Sequence, residues 1–444
     1  MRPNDKTFVL LLALAVCCGT LLPGFGRSGT SRPGDSVPAL FRLTPQTPGY
    51  YWHLGEIFNP ASNRYFFFFF EPQGQTAVIW CRQFNIHGRP LSGFQKIIEL
   101  PDEWITEGAV AYNQTEKCMF LVWSSANYDV VKGMPLDNYG RTMGGATIIT
   151  IKRAQRYNSA LNVQVAWLPS VNRYAVAWTY ANDISPYSAM NGPYLTVLDR
   201  NFTFWIKAKK VYSMTHRNDL HFLYMKPAGN GLLWTGREDG DGRSIQPMAF
   251  FTDDRGNVLK TIGVIYPGQP VKGLGLVQAA FDPDVKTVLL FWAAADTYDD
   301  ADWTSALHYY RIMGGEGVFQ GPVKTMPHRA ALQAFGSVCY NPVEKRFFWV
   351  VQEYADYYSP NPYRSEYKGK LWAYYMDTNG RLLNKNGRPA IAPIPLTNTV
   401  SDPGLGSRLW GLVLNPYHNS YWTGYWRYST QGPACYDAWG LIYK

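Results

Sequence analysis

Residues 340–351 read YNPVEKRFFWVV: Tyr340-Asn341-Pro342, a short and mostly polar connection, then the aromatic and β-branched run 347–351. Pro presets φ for a tight reversal, and an Asx side chain hydrogen-bonds its own backbone there, so the first three residues close one strand and open a turn. The run that follows has the composition of a half-buried or fully buried strand. The unit recurs as Phe58-Asn59-Pro60 before 65–70, Tyr112-Asn113-Gln114 before 119–123, and Trp167-Leu168-Pro169 before 174–178. A degenerate copy, Tyr224-Met225-Lys226-Pro227, precedes 232–234; Phe281-Asp282-Pro283 precedes 288–292, and Leu414-Asn415-Pro416 precedes 421–426. Measured at the Pro position the steps are 54, 55, 58, 56, 59 and 74 residues, which makes seven copies.

A second tight turn follows in most copies, at 85–88, 199–202, 253–256, 314–317 and 377–380. Two hairpin turns per copy imply four short antiparallel strands, and four-stranded units at this spacing are propeller blades. The expected fold is therefore all-β: a single seven-bladed β-propeller, with repeat cores near 55–98, 107–155, 162–211, 220–264, 275–324, 335–383 and 409–444. The last copy ends after three strands, and residues 37–43 have no other role, so an N-terminal strand is expected to complete it and remove an open edge. In the second copy the third strand is expected near 146–151, which leaves a fourth strand lost or very short, and six or eight blades as alternatives.

The composition agrees with this architecture. Of 444 residues, 16 are Trp, 31 Tyr and 23 Phe, with 40 Gly and 30 Pro, which excludes a helical bundle or coiled coil. Hydrophobic residues at 46% exclude disorder. The net charge of +9 is spread without any run of five Lys/Arg, so the footprint of a nucleic-acid binder is missing. Arg2 and Lys6 before the apolar run 8–16 and the small residues near Gly24 and Gly26 read as a secretory signal peptide over 1–26, with the propeller over 27–444. No membrane span is expected, and the localisation is secreted and extracellular, or periplasmic in a bacterium. Cys17 after Leu14-Ala15-Val16 resembles a lipobox, with Val16 where that motif has a small residue. Cys81, Cys118, Cys339 and Cys435 remain, open to three disulfide pairings or to none, and their spacing matches no zinc pattern.

On these residues the chain resembles secreted β-propeller repeat proteins built on a Y-N-P-x(4)-Y-x-V-x-W unit. The resemblance implies the fold and carries no function. The Gly-His and Trp-Asp pairs of WD40 repeats do not recur, nor does the Ser-x-Asp-x-Gly-x-Thr-Trp box of sialidase-like propellers, so no catalytic set is implied.

In such a blade the strand 1–2 and 3–4 turns share one face, here uniformly tight. The 2–3 connections, at 124–144, 179–192, 236–243, 293–304 and 353–368, are expected to be long and individual on the other face, where binding residues usually sit. The candidate ligand-binding residues there are Trp52, Trp104, Tyr128, Tyr187, Tyr298, Asp299, Trp303, Glu353, Tyr357, Tyr358 and Trp410, with Tyr51, His53 and His328 beside them. Strand aromatics such as Trp123, Trp178, Trp292 and Trp426 are expected to pack between blades. The sequons Asn113-Gln114-Thr115 and Asn201-Phe202-Thr203 fall on the tight-turn face, so Asn113 and Asn201 are candidate glycosylation sites.

No cofactor is expected, although Asp239, Asp241, Asp299 and Asp300 offer oxygen ligands for a loop calcium. His216 and His221 make a poor metal signature. Aromatics with carboxylates on exposed loops suit an extracellular glycan first and a protein second. The alternative is a polysaccharide hydrolase or lyase using channel-mouth carboxylates among Glu56, Glu107, Glu238, Asp299 and Glu353. Oligomeric state is not legible.

Overall fold

A computed structural model describes residues 39–45, 51–125, 130–144, 148–153, 159–181, 192–212, 224–239, 245–264, 273–295, 307–329, 337–356, 368–390, 393–396, 405–428 and 436–443. Within them lie seven antiparallel sheets. In six the strands run in sequence order from first to fourth, blade 6 carrying one further short strand, and in the seventh the fourth place is taken by a strand from the N-terminal side of blade 1. The first strands are Trp52–Asn59, Ile105–Asn113, Ser159–Leu168, Tyr224–Ala228, Gly273–Asp282, Ser337–Asn341 and Leu405–Asn415, for blades 1 to 7. Each lies against the first strand of the next blade, and that of blade 7 lies against that of blade 1. The chain is a seven-bladed β-propeller.

The repeat earns its shape at the first hairpin. In blade 1, Asn59 Oδ1 accepts from the Ala61 and Ser62 N–H at 2.9 and 3.2 Å. In blade 6, Asn341 Oδ1 does the same for Val343 and Glu344 at 3.0 and 3.2 Å. The turn ends on a left-handed residue, Asn63, Lys117, Asn172, Lys286, Lys345 or Asn419, with φ between 47 and 53°. The amide nitrogen then reaches the next blade: Asn59 Nδ2 donates to Asn138 Oδ1 at 2.7 Å, Asn113 Nδ2 to Asn172 Oδ1 at 2.9 Å, and Asn341 Nδ2 to the Tyr421 hydroxyl at 2.6 Å. One residue type thus shapes the turn and ties neighbouring blades. The expected second turns all form, closed by backbone bonds such as Gly88 N–H to Asn85 O at 3.0 Å and Gly380 N–H to Asp377 O at 3.0 Å.

Hydrophobic cores lie between blades, one cluster for each of the seven junctions. Trp123, Trp178, Trp234, Trp292, Trp349 and Trp422 are fully buried in six of them. The strand Arg64–Gln73 shows the logic: Phe66, Phe68 and Phe70 enter the junction with blade 2, while Tyr65, Phe67 and Phe69 enter that with blade 7. Both faces are covered, so the polar alternation of a one-sided strand vanishes.

The ring closes as expected. Ala39–Arg42 pairs antiparallel with Tyr436–Tyr443, Ala39 opposite Ile442 and Arg42 opposite Trp439, and supplies the fourth strand of blade 7. Phe41 packs on Phe84 and Trp422 with ring centroids 5.2 and 4.8 Å apart. A Cβ on Gly440 would sit 2.5 Å from that ring, so glycine is required there.

Blade 2 corrects the sequence reading. Its third strand is Val130–Leu136, paired with Cys118–Ser125, and the segment expected as third, Ile149–Arg153, is a complete fourth strand. The span 124–144 is therefore not one long loop. Gly133 and Pro135 disguise the strand; Gly133 is needed because a Cβ would meet the Phe120 ring at 2.4 Å. In blade 4 the second strand continues to Asp239, which shortens the expected 236–243 loop. Cys81, Cys118 and Cys339 are free thiols, while Cys435 and the expected signal peptide lie outside the described residues.

Candidate functional site

The 2–3 connections divide the ring unevenly. Blade 1 joins Gln73 to Thr76 through two residues and blade 2 joins Ser125 to Val130 through four, whereas residues 296–306 and 357–367 separate these strands in blades 5 and 6. The shortest of these connections are those of blades 1 and 2, and two indoles stand at the starts of the first strands there. Trp52 opens the first strand of blade 1 and is 38% exposed; Trp104 directly precedes that of blade 2 and is 47% exposed. Trp52 is held parallel to Phe70 at a 6.3 Å centroid separation. Tyr51, expected beside them as a loop ring, is instead a core residue packed edge-on against Phe69 at 5.7 Å.

Each indole is adjacent in sequence to a member of a partly buried polar pair. His53 Nε2 contacts Glu56 Oε2, but His53 stacks on Phe67 of the blade 7 junction while Trp52 stacks on Phe70 of the blade 2 junction, so the two rings face opposite sides of the strand. Lys132 Nζ contacts Oε1 of Glu103, the residue before Trp104. The second Glu103 oxygen is buried without a hydrogen-bond partner. Glu56 fits because the facing residue of blade 7 is Gly411, where a Cβ would lie 1.9 Å from Glu56 Oε1. Of the other candidate carboxylates, Glu107 is half-buried on the first strand of blade 2, and the Glu238 and Glu353 side chains are outside the described set.

Further round the ring, Lys226 on the first strand of blade 4 is exposed, and sequence reasoning passed over it. Desolvation by surrounding protein lowers its pKa, opposed by Cys339 of blade 6 and by Glu56 of blade 1, so residues on two other first strands act on this amine. Burial pushes the Cys339 thiol up, which keeps it protonated and a poor nucleophile. The signal that marked Lys226 was its place in the degenerate copy.

Among the other expected site residues, Tyr128, Tyr187, Tyr298, Asp299, Trp303, Tyr357 and Tyr358 lie outside the described residues, as do His216 and His221. Glu353 and Trp410 are in strands, and so is His328, with side chains not described; the same holds for Trp426. Of the calcium candidates, Asp239 ends a strand and Asp241, Asp299 and Asp300 are not described. Among the described residues no group of three or more His, Cys, Asp or Glu could hold a metal ion. Asn201 is exposed, whereas Asn113 is fully buried with its amide committed to the turn and to Asn172. Among the described residues no helix is long and apolar enough to cross a membrane.

Neither protein-family models nor curated proteins match the chain. Among solved structures it is similar to the Kuenenia stuttgartiensis hydrazine synthase, at 14% identity and a TM-score of 0.48 over 86% of this chain and 94% of that one. It is also similar to an oligogalacturonate lyase in complex with manganese, at 8% identity and a TM-score of 0.48 over 92% and 96%. A third is the β-propeller domain of the Trilobed protease from Pyrococcus furiosus, at 8% identity and a TM-score of 0.45 over 86% and 92%. No residue role is carried over from them.

Proposed function

We propose that this protein is a secreted, non-catalytic glycan-binding propeller whose site lies on the long-loop face at blades 1 and 2. The observation that carries the reading is the pair of exposed indoles, Trp52 and Trp104, at the starts of adjacent first strands where the 2–3 connections are shortest. The flat apolar face of a pyranose stacks on an indole, and hydroxyls need nearby charged or polar groups for orientation. Lys132, partly exposed and steadied by Glu103, supplies a donor close to Trp104, and the His53–Glu56 pair places polar atoms on the strand that carries Trp52. The exported setting follows from the N-terminal charge and apolar pattern of residues 1–26.

The test is retention on a panel of immobilised polysaccharides, with titration of any that is retained. Trp52→Ala and Trp104→Ala are each expected to weaken binding by about tenfold or more, equal to about 1.4 kcal/mol, without shifting thermal unfolding. Release of reducing ends that disappears in Glu56→Gln would overturn the non-catalytic reading in favour of a hydrolase or lyase. Retention unaffected by either tryptophan variant would move the site elsewhere.

A further inference from the structure

Six first hairpins close with four residues, 60–63, 114–117, 169–172, 283–286, 342–345 and 416–419, and the hairpin of blade 4 closes with two. There Ala228 pairs with Gly231 across Gly229 and Asn230. Ala228 stands where blades 1, 2 and 6 carry the asparagine whose amide reaches the following blade. Blade 4 therefore has no such bridge to blade 5. Between these two blades, on the tight-turn face, lies a groove of about 720 Å³. Small-ligand sites span roughly 300–1,000 Å³.

The groove is built rather than left over. A Cβ on Gly231 would lie 2.0 Å from the Thr252 carbonyl oxygen, so only glycine permits the close strand approach at its end. Phe251 and Phe281 line it half-buried, and Leu259 beside them is 67% exposed. Four charged side chains share the lining with these apolar groups. Asp253 is spent on its own turn, accepting from Arg255 N–H at 2.9 Å, Asn257 N–H at 2.8 Å and Asn257 Nδ2 at 2.7 Å. The Lys260 amine donates to the Glu316 main-chain carbonyl. Two charged side chains of opposite sign are left without a partner, the Lys286 ammonium and the Glu316 carboxylate, both exposed and neither in an ion pair or side-chain hydrogen bond among the described residues.

From this lining we infer that the groove binds a small apolar zwitterion, an amino acid or dipeptide with free ends. Its carboxylate meets Lys286, its ammonium meets Glu316, and its apolar side chain covers Phe251, Phe281 and Leu259. Charge complementarity selects this class over a neutral sugar, which would leave both charges unmatched, and over a simple anion, which would meet Glu316 unfavourably.

The experiment uses the full chain with leucyl-phenylalanine and with the same dipeptide blocked by acetyl and amide groups, followed by calorimetry and ligand-observed NMR. The free dipeptide is expected to bind at least about tenfold more tightly than the blocked one. Lys286→Asn installs the residue that the equivalent left-handed turn position already carries as Asn63, Asn172 and Asn419, so folding is retained. That variant and Glu316→Gln are each expected to weaken the free dipeptide about tenfold and leave the blocked one unchanged. Leu259→Ser is expected to weaken both. Equal binding of free and blocked forms, insensitivity to either charge variant, or no binding of the dipeptide would each overturn the inference.

Discussion

Glu344 shows how much one turn residue can be asked to do. It sits in the first hairpin of blade 6 and accepts from Arg346 Nε at 2.7 Å, Asn419 Nδ2 at 2.7 Å and the Tyr421 hydroxyl at 3.1 Å, the last two from blade 7. Arg346 in turn lies 3.7 Å from the Tyr375 ring centroid and donates to the Asn384 and Lys385 carbonyls. Burial alone would raise the Glu344 pKa, but these bonds together hold it below the ordinary carboxylate value. A group depressed in the folded state contributes stability above its unfolded pKa and loses it as pH falls through the folded value. Wild type is therefore expected to lose thermal stability more steeply than Glu344→Gln between about pH 5 and pH 3. Parallel slopes in a pH series of melting curves would show that the network carries no net charge stabilisation.

At the scale of the element, the five phenylalanines 66–70 divide their packing by parity. Phe66 and Phe68 stack within one junction at 6.4 Å, and Phe67 and Phe69 within the other at 5.7 Å. Truncating any one to leucine opens a small cavity and should cost roughly 1–2 kcal/mol. Phe67→Leu with Phe68→Leu is expected to be additive, because the two cavities lie on opposite faces of the strand. Phe66→Leu with Phe68→Leu should depart from additivity by about 0.5 kcal/mol or more, since they share one cluster. Urea-unfolding midpoints of the singles and doubles decide between the two patterns.

For the whole molecule, stability rests on closing the circle. Four residues near one terminus complete a sheet made at the other, and Phe41 is the anchor that reaches the Phe84–Trp422 junction. Phe41→Ala is expected to cost about 2–3 kcal/mol, less than a fully buried phenylalanine because the ring is only partly buried, and to speed proteolysis at the freed edge. Loss of a purely local strand would instead leave the global unfolding midpoint in place.

The repeat unit, both tight turns and the closing strand are legible in the sequence, because turn chemistry and apolar runs are set within about ten residues of chain. Blade 2 misleads for the same reason: Gly133 and Pro135 break the local pattern, and only the Phe120 ring across the sheet explains the glycine. Tyr51, Trp52 and Trp104 look alike as sequence, yet one is core and two are open to solvent. Their fates depend on neighbouring blades, supplied by residues far along the chain. The same holds for the groove at blade 4, which the sequence presents only as a degenerate copy. Local chemistry marks the seven repeat copies and their tight turns, while the complete second blade and the closed ring are settled by pairing between strands. Packing between blades selects which side chains remain on the surface to bind anything, since exposure is a property of what lies opposite.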